Sequence, residues 1–169
     1  EWRTNISVVP QDTHIFNGSV IQNIAFDVND DNIDSIIDFF NQYSFSTFIE
    51  QLPQSYATII GEEGINLSGG QKQVIALMRA LYKKPKILLL DEFTSAMDRK
   101  TEQFVLNLLN NIKTELIIIF ISHRIQSLPK IADRVYVLEK GIISNYGNHE
   151  KLMETTNYYS EFWTELHTE

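Results

Sequence analysis

The sequence of 169 residues contains no cysteine. This absence excludes disulfide bonds, thiolate metal sites and cysteine nucleophiles. Long hydrophobic runs are absent as well: the longest, Leu116 to Ile121, is far shorter than the roughly 20 residues that a membrane-spanning helix needs. Basic residues number 14 against 22 acidic ones, so the formal net charge is −8. A protein that mainly grips nucleic acid or anionic lipid through a positive surface is therefore not expected.

The composition nevertheless supports a folded domain. Hydrophobic residues make up 43% of the chain, which includes ten Phe, seven Tyr and two Trp. This content is enough for a sizeable core, and the length suits one domain. The chain opens with Glu1 rather than Met and has no secretory signal, which suggests a piece of a longer protein.

The apolar pattern of the first half predicts one strand and then three helices, in the segments Ile6 to Val9, Ile33 to Phe40, Phe45 to Leu52 and Gly69 to Tyr82. Pro10 closes the strand, because proline cannot continue a ladder. Asp30 or Asp31 is expected to cap the first helix. The glycine-rich stretch between residues 57 and 66 is expected to be irregular.

The second half is expected to form strands at Ile87 to Leu90 and Leu116 to Ile121, with a helix at Arg99 to Ile112 between them. A hairpin at Arg134 to Ile143 and two helices from about Asn148 and Tyr158 are expected to follow. Strand, helix and strand within about 35 residues is the βαβ unit, which implies parallel strands. Both strands are apolar throughout, which predicts burial on both faces. The predicted fold class is α/β, with a helical insertion between the first two strands and a C-terminal β-hairpin plus helices.

The strongest candidate site is Leu67-Ser68-Gly69-Gly70-Gln71, where the long helix begins. Open amides at a helix N-terminus, with the positive end of its dipole, can bind an anion such as phosphate, and the Ser68 hydroxyl can add a donor. The alternative is structural: Ser68 and Gln71 fit the capping-box pattern, and the glycines could simply shape a turn.

A second candidate is the acidic pair Asp91-Glu92, which follows the strand Ile87 to Leu90. Ligands of open α/β sheets bind at the carboxyl ends of such strands. Asp91 can hold Mg²⁺, and Glu92 can polarise an attacking water as a general base. The alternative is a pair of solvated acids, with Glu92 capping the next helix.

Two further residues follow strands in the same way. His123 comes after the strand Leu116 to Ile121 and could donate to a phosphate, although a single histidine is more often structural. Gln11 follows the first strand and could reach a metal-bound water or simply lie in solvent. His14, His149 and His167 lack the spacing of metal ligands.

One element expected of a nucleotide-binding fold is missing. No Gly-x-x-x-x-Gly-Lys-Ser/Thr phosphate loop (Walker A motif) occurs in these 169 residues. The nearest approach runs from Gly64 to Gly69, but Gly70-Gln71 stand where Lys and Ser/Thr would be needed.

Taken in order, these residues resemble the nucleotide-binding domain of ATP-binding cassette (ABC) transporters. Residues 67–71 are similar to the signature motif of that family, and residues 87–92 to its Walker B strand with the catalytic glutamate. Ser95-Ala96-Met97-Asp98 resembles the D-loop, Gln11 the Q-loop glutamine, and His123 the switch histidine. The segment Ile15 to Ser19, with Asn23-Ile24, resembles the part of exporters that meets the transmembrane domain.

The resemblance implies a partial P-loop NTPase-like parallel sheet core, and it implies that the chain is the C-terminal part of a single ABC ATPase domain. Residues 1–11 and 85–169 would form the core, and residues 12–84, approximately, the helical subdomain. The missing phosphate loop would precede Glu1. The chain alone is therefore expected to be catalytically inactive, and its parent to be an ATPase at the cytoplasmic face of a membrane.

The resemblance also implies cofactors, partners and roles. ATP would be bound between two ABC ATPase domains arranged head to tail, with a transmembrane domain as the other partner and no nucleic acid. Signature residues Ser68, Gly69, Gly70 and Gln71 and D-loop residue Asp98 would contact nucleotide. Asp91 and Gln11 would hold Mg²⁺, and Glu92 and His123 would be catalytic. The alternatives are a soluble ABC-class ATPase of DNA repair, chromosome organisation or translation, and a non-catalytic regulatory cassette.

Overall fold

A computed structural model describes residues 2–29, 32–62 and 64–167 of the chain. The chain forms two compact units, Glu1–Ser122 and His123–Glu169. The elements of the first unit are β1 (Ile6–Val9), β2 (Gly18–Ser19), α1 (Val20–Ile24), α2 (Ile33–Gln42), α3 (Ser46–Ile49), β3 (Ile59–Ile60), α4 (Gly69–Tyr82), β4 (Ile87–Asp91), α5 (Arg99–Ile112) and β5 (Ile117–Ile121).

The core of the first unit is a parallel sheet with the strand order β1-β4-β5. Its register places Val9 beside Leu90, and Leu90 beside Phe120, so all three strands end at one edge. The βαβ unit predicted from the sequence is therefore confirmed, with α5 as its helix. Helices α1 to α4 and the small β2-β3 sheet lie in sequence between β1 and β4, as the predicted insertion requires.

The prediction that both core strands are buried on both faces is wrong. Along β5 the side chains of Ile117, Ile119 and Ile121 are about half exposed or more, at 61%, 48% and 57%. Val8 of β1, which is in register with Ile119 across β4, is also 55% exposed. One face of the sheet is thus packed and the other is apolar and open, which an all-apolar strand sequence cannot reveal.

Helix α4 packs against β1. Its sequence starts with a capping box in which the Ser68 side chain accepts from the Gln71 amide and the Gln71 side chain accepts from the Ser68 amide. Val74, Ile75 and Met78 are fully buried, as the apolar stripe predicted. Leu81 at 2% exposure extends the same stripe.

The insertion is mainly helical, with three differences from the expectation. The stretch between residues 57 and 66 was expected to be irregular, but Ile59–Ile60 forms the strand β3, which pairs with β2. The short helix α1 was not predicted, although its Ser19 and Gln22 form a second capping box. The expected caps of α2, Asp30 and Asp31, lie outside the described residues. The structure places Asn32 at the N-cap position, where its side chain makes no capping hydrogen bond.

The second unit contains α6 (Leu128–Ile131), β6 (Val135–Glu139), β7 (Ile142–Gly147), α7 (His149–Met153) and α8 (Tyr158–Glu165). Strands β6 and β7 pair antiparallel and form the predicted hairpin, with an irregularity between Val137 and Leu138. Asn148 and Asn157 cap α7 and α8 through their side chains. Within the part of the chain that the structure describes, no helix has the length and apolar character needed to span a membrane.

Candidate functional site

The carboxyl edge of the parallel sheet brings together three residues that the sequence singled out. Asp91 is the last residue of β4, and Glu92 follows it directly. Gln11 comes two residues after β1, whose last residue pairs with Leu90. Parallel strands in register end side by side, so the loops that carry Gln11 and the acidic pair leave the sheet at the same edge. Asp91 and Gln11 are both exposed there.

Glu92 has an unusual backbone conformation. Its φ angle is +47°, in the left-handed region that a residue with a Cβ rarely adopts. Two constraints hold it there: its amide donates to the Ile121 carbonyl at 3.0 Å, and the next residue, Phe93, is fully buried. Ser44, Ser55, Lys84 and Lys140 share this conformation, so what distinguishes Glu92 is its position at the carboxyl edge of the sheet.

The N-terminus of α4 is open on one side. Ser68 and Gly69 are exposed, whereas Gly70 is buried. The Gln71 amide is capped by Ser68, and the first donor within the helix is the Lys72 amide, which bonds to the Ser68 carbonyl. The amides of Gly69 and Gly70 precede that donor and have no acceptor inside the helix. These two donors and the Ser68 hydroxyl hydrogen are groups that a phosphate site requires, and anion binding by them stays a prediction.

The two glycines also allow a close approach within the chain. A Cβ at Gly69 would lie 2.9 Å from the Ala96 Cβ, and one at Gly70 would lie 3.1 Å from the Ala96 carbonyl oxygen and from the Met97 Cα. The start of α4 therefore packs directly on the loop between β4 and α5. This contact was not foreseen from the sequence, which offered only a ligand or a turn as reasons for the pair.

Asp98 caps helix α5 in the structure. Its carboxylate accepts hydrogen bonds from the amides of Lys100 and Thr101, at 2.9 and 3.0 Å, and from the Thr101 hydroxyl at 2.9 Å. These bonds, chiefly those from Thr101, hold the pKa of the Asp98 carboxyl below its ordinary value of 3.8. A capping role is therefore present within the chain, and contact between Asp98 and a nucleotide stays a prediction.

Gln73, which sequence reasoning missed, connects α4 to the loop that carries Gln11. Its buried side chain donates from Nε2 to the carbonyl oxygens of Gln11 and Pro10, and its Oε1 accepts from the Thr13 hydroxyl at 3.2 Å. The Gln11 backbone is thus fixed while its side chain stays exposed. A buried polar residue on the apolar face of a predicted helix was the available signal.

His123 is the second residue after β5 and the first of the second unit. Of the other histidines, His149 Nδ1 lies 3.0 Å from the Tyr159 hydroxyl, and the His14 carbonyl accepts from Arg79. Across residues 2–29, 32–62 and 64–167, no group of three or more His, Asp or Glu side chains is placed to hold a metal ion.

An exposed aromatic pair, also not foreseen as a unit, lies beside α4. The rings of Phe16 and Phe26 are 5.3 Å apart and are 42% and 63% exposed. The Arg79 guanidinium lies 4.8 Å from the Phe16 ring and 5.7 Å from the Phe26 ring. The same group donates to the carbonyls of Asn23 and His14. We call Phe16, Phe26 and Arg79 the aromatic surface.

The groups at these two positions are better suited to binding Mg²⁺ together with a nucleotide than to binding a metal ion through protein ligands alone. Asp91 offers one exposed carboxylate, and Mg²⁺ commonly takes one or two carboxylates while phosphates and waters complete its shell. The open amides of α4 suit a phosphate. The first unit can therefore present an anion-binding helix end and a cation-binding strand end.

Comparison with known proteins shows which sequences are similar to this chain. The model of the family "ABC transporter" matches residues 1–95, which is more than half of the chain. A putative export ATP-binding/permease protein of Rickettsia bellii is 39% identical over 98% of this chain. The ATP-dependent lipid A-core flippase of Haemophilus influenzae is 37% identical over 96%.

Solved structures give the same result. A bacterial Atm1-family ABC exporter with ATP bound matches 99% of this chain with a TM-score of 0.86 and 35% identity. The chain spans 29% of the length of that exporter chain, and 28% of each of the two relatives.

Proposed function

The chain belongs to the ABC transporter family, and from that premise we propose that it is part of an ATP-hydrolysing domain that drives export across a membrane. The observation that carries the proposal is the acidic pair at the carboxyl edge of the sheet, with Glu92 held at a φ of +47°. The exporter relatives and the fold similarity to an ATP-bound exporter support the same function. The domain would lie at the cytoplasmic face of the membrane.

We propose that ATP is bound between two such domains arranged head to tail. The exposed Ser68 and Gly69 and the open amides at the start of α4 would face the γ-phosphate held by the partner domain. The helix dipole favours negative charge at that end. Residues 1–11 and 85–169 would be the core and residues 12–84, approximately, the helical subdomain. With a net charge of −8, we expect no nucleic-acid partner.

The strand end would supply the hydrolytic groups of the other half-site. Asp91 and Gln11 would hold Mg²⁺, which when bound neutralises charge on the phosphates. Glu92 would accept the proton of the attacking water as general base. His123 would stabilise charge as it develops on the phosphate. Asp98 would keep its capping role and contact the shared nucleotide from the loop after β4.

We propose the aromatic surface as the contact with the transmembrane domain. Phe16 lies in the segment that resembles the exporter contact, and exposed neighbouring rings are a common anchor at protein interfaces. The Arg79 guanidinium contacts both rings, so that a motion of α4 would also move the aromatic surface. Gln73 of the same helix holds the Gln11 loop, which provides a second connection to the nucleotide site.

The test is Glu92→Gln in the transporter polypeptide that contains this domain. Removing a general base is expected to lower ATP turnover by at least about 100-fold, while ATP binding is retained because the amide keeps the size of the side chain. Turnover is measured by phosphate release, and binding by a fluorescent nucleotide analogue.

The matched control is Glu154→Gln, which makes the same chemical change at an exposed position directly after α7. We expect its turnover to equal that of the wild type. Near-normal turnover in Glu92→Gln would remove Glu92 from the role of general base.

A further inference from the structure

A cavity of about 330 Å³ lies between β1 and the second half of α4. The helix contributes positions 76, 79, 80 and 83, which share one face because of the helical period. Two of them are alanines, Ala76 and Ala80, which are buried at 5% and 4% exposure. Both carry only a methyl side chain and line the space between helix and strand. The volume is within the range of small-molecule sites.

The wall on the strand side carries a buried hydroxyl without a partner. Ser7 is 6% exposed and lines the cavity. Among the described residues, its Oγ is the buried side-chain atom that makes no hydrogen bond. Buried polar groups are nearly always satisfied, and an exception is a reason to look for a ligand. The Oγ atom has almost no accessible surface, so an acceptor in the cavity reaches the Ser7 hydroxyl once the side chain changes rotamer.

The wall on the helix side is positively charged. Arg79 and Lys83 line the cavity, and none of the described residues that line it is acidic. Every hydrogen bond recorded for Arg79 goes to a neutral oxygen, and burial lowers the pKa of its guanidinium. The C-terminal end of α4 contributes about half a negative charge, which is smaller than two full positive charges. The cavity is therefore cationic in a chain whose net charge is −8.

We propose that this cavity binds a small molecule through an oxyanion group, a carboxylate or a phosphate. Ser7 Oγ and the Lys83 ammonium donate to the oxyanion, and Arg79 adds its positive charge. Ala76 and Ala80 contact the short apolar part of the ligand. The inference does not rest on the proposed function. Lys83 is 14 residues beyond Gly69, about 20 Å along α4 from the amides assigned to nucleotide. The Gln11 loop is closer, because Pro10 and Thr13 also line the cavity.

The cavity and the aromatic surface share Arg79, which gives binding a second observable. A ligand that contacts Arg79 changes the surroundings of the Phe16 ring, 4.8 Å away. Resonances of Phe16 are therefore expected to shift together with those of the cavity residues.

The test is an NMR titration of the ¹⁵N-labelled 169-residue chain with sodium propionate and, separately, with inorganic phosphate. Sodium chloride at matched ionic strength is the reference. We expect saturable shifts at the amides of Ser7, Ala76 and Ala80 with at least one of the two anions. The anion that saturates identifies the source of the oxyanion. Shifts that match those of chloride for both anions would overturn the proposal.

Three variants show whether the designated groups hold the anion. Ser7→Ala removes the donor and is expected to weaken binding at least about threefold without lowering the melting temperature, because it also removes an unsatisfied hydroxyl. Lys83→Gln is expected to weaken it at least about fivefold and to reduce its salt dependence. Ala80→Leu fills the cavity and is expected to abolish binding.

The control is Lys130→Gln, an exposed lysine of α6, which should bind the anion as the wild type does. If Ser7→Ala and Lys83→Gln both bind with wild-type affinity, the anion is held elsewhere and the proposal is wrong. These two substitutions leave the packing of α4 intact, so that they decide the question even if Ala80→Leu fails to fold.

Discussion

Replacing Arg79 by Met removes a charged group that joins α4 to the short helix α1. The guanidinium donates from Nε to the Asn23 carbonyl at 2.7 Å, from Nη1 to the His14 carbonyl at 3.1 Å and from Nη2 to Asn23 Oδ1 at 3.3 Å. Asn23 is fully buried and sits near the end of α1, where carbonyl groups have no partner within the helix. Met keeps the apolar stem of the side chain and loses all of these bonds.

The magnitude follows from the burial of Asn23. Water cannot replace the donor to its carbonyl, and leaving a buried acceptor unsatisfied costs about 1–3 kcal/mol. The cation–π contact with the Phe16 ring, at 4.8 Å, contributes about 0.5–1 kcal/mol at this half-exposed site. The bond to the His14 carbonyl is exposed and contributes little. We therefore expect Arg79→Met to lower the free energy of unfolding by about 3 kcal/mol.

The assay is urea denaturation of the 169-residue chain, followed by circular dichroism. Arg99→Met is the matched control, since Arg99 is exposed at the first position of α5, and it should stay within about 0.5 kcal/mol of the wild type. Arg79→Lys, which keeps the charge but not the geometry, is expected between the two. An Arg79→Met chain within about 0.5 kcal/mol of the wild type would refute this account of the Asn23 carbonyl.

Three further predictions concern other parts of the site. The lowered pKa of Asp98 stabilises the fold above the pKa of the unfolded state, and this contribution is lost as the pH falls through the folded-state value, below 3.8. The urea midpoint of the wild type should thus exceed that of Asp98→Asn above about pH 5, and the difference should shrink toward about pH 2; a constant difference would argue against it. Gly70→Ala should lower the melting temperature, because the new Cβ lies 3.1 Å from backbone atoms of Ala96 and Met97, whereas an unchanged value would show that the loop can move. The 169-residue chain alone should hydrolyse no ATP and bind it weakly, because no phosphate loop occurs in its sequence. Micromolar affinity for Mg·ATP in calorimetry would contradict this expectation.

The elements that could be predicted from the sequence are those with strong local signals. Helix α4 has a capping box at Ser68 and an apolar stripe, and both features depend on residues within one helix. Strands β1 and β4 are short apolar runs ended by Pro10 and by the acidic pair. The hairpin of β6 and β7 turns at Gly141, whose φ is +83°. In each case the decisive information lies within a few residues.

The burial of β5 could not be predicted in the same way. Every residue from Ile117 to Ile121 is apolar, so the pattern does not indicate which face is covered. Coverage depends on which other elements pack there, and this is a property of the tertiary structure. Helix α1 is a different case, because the Ser19–Gln22 capping box was visible in the sequence and was overlooked.

The sequence predicted which residues form the candidate site but not how they are arranged in space. The motifs identified Gln11 and the acidic pair, and the register of three strands shows that they leave the sheet at one edge. The left-handed backbone of Glu92 depends on the buried Phe93 and on a bond to β5, neither of which a motif contains. Gln73 bonds to residues about 60 positions away, and the burial of Ser7 beside the cavity likewise depends on the fold.

The central claim is that the start of α4 faces a nucleotide held by a second domain. The direct measurement is the rate of maleimide labelling at Ser68→Cys, in a transporter polypeptide that has no other cysteine and carries Glu92→Gln to preserve bound ATP. Because a covered thiol reacts slowly, we predict that ATP lowers this rate at least about tenfold, while the rate at Ser144→Cys, an exposed position in β7, stays unchanged. An equal rate at position 68 with and without bound ATP would contradict the claim.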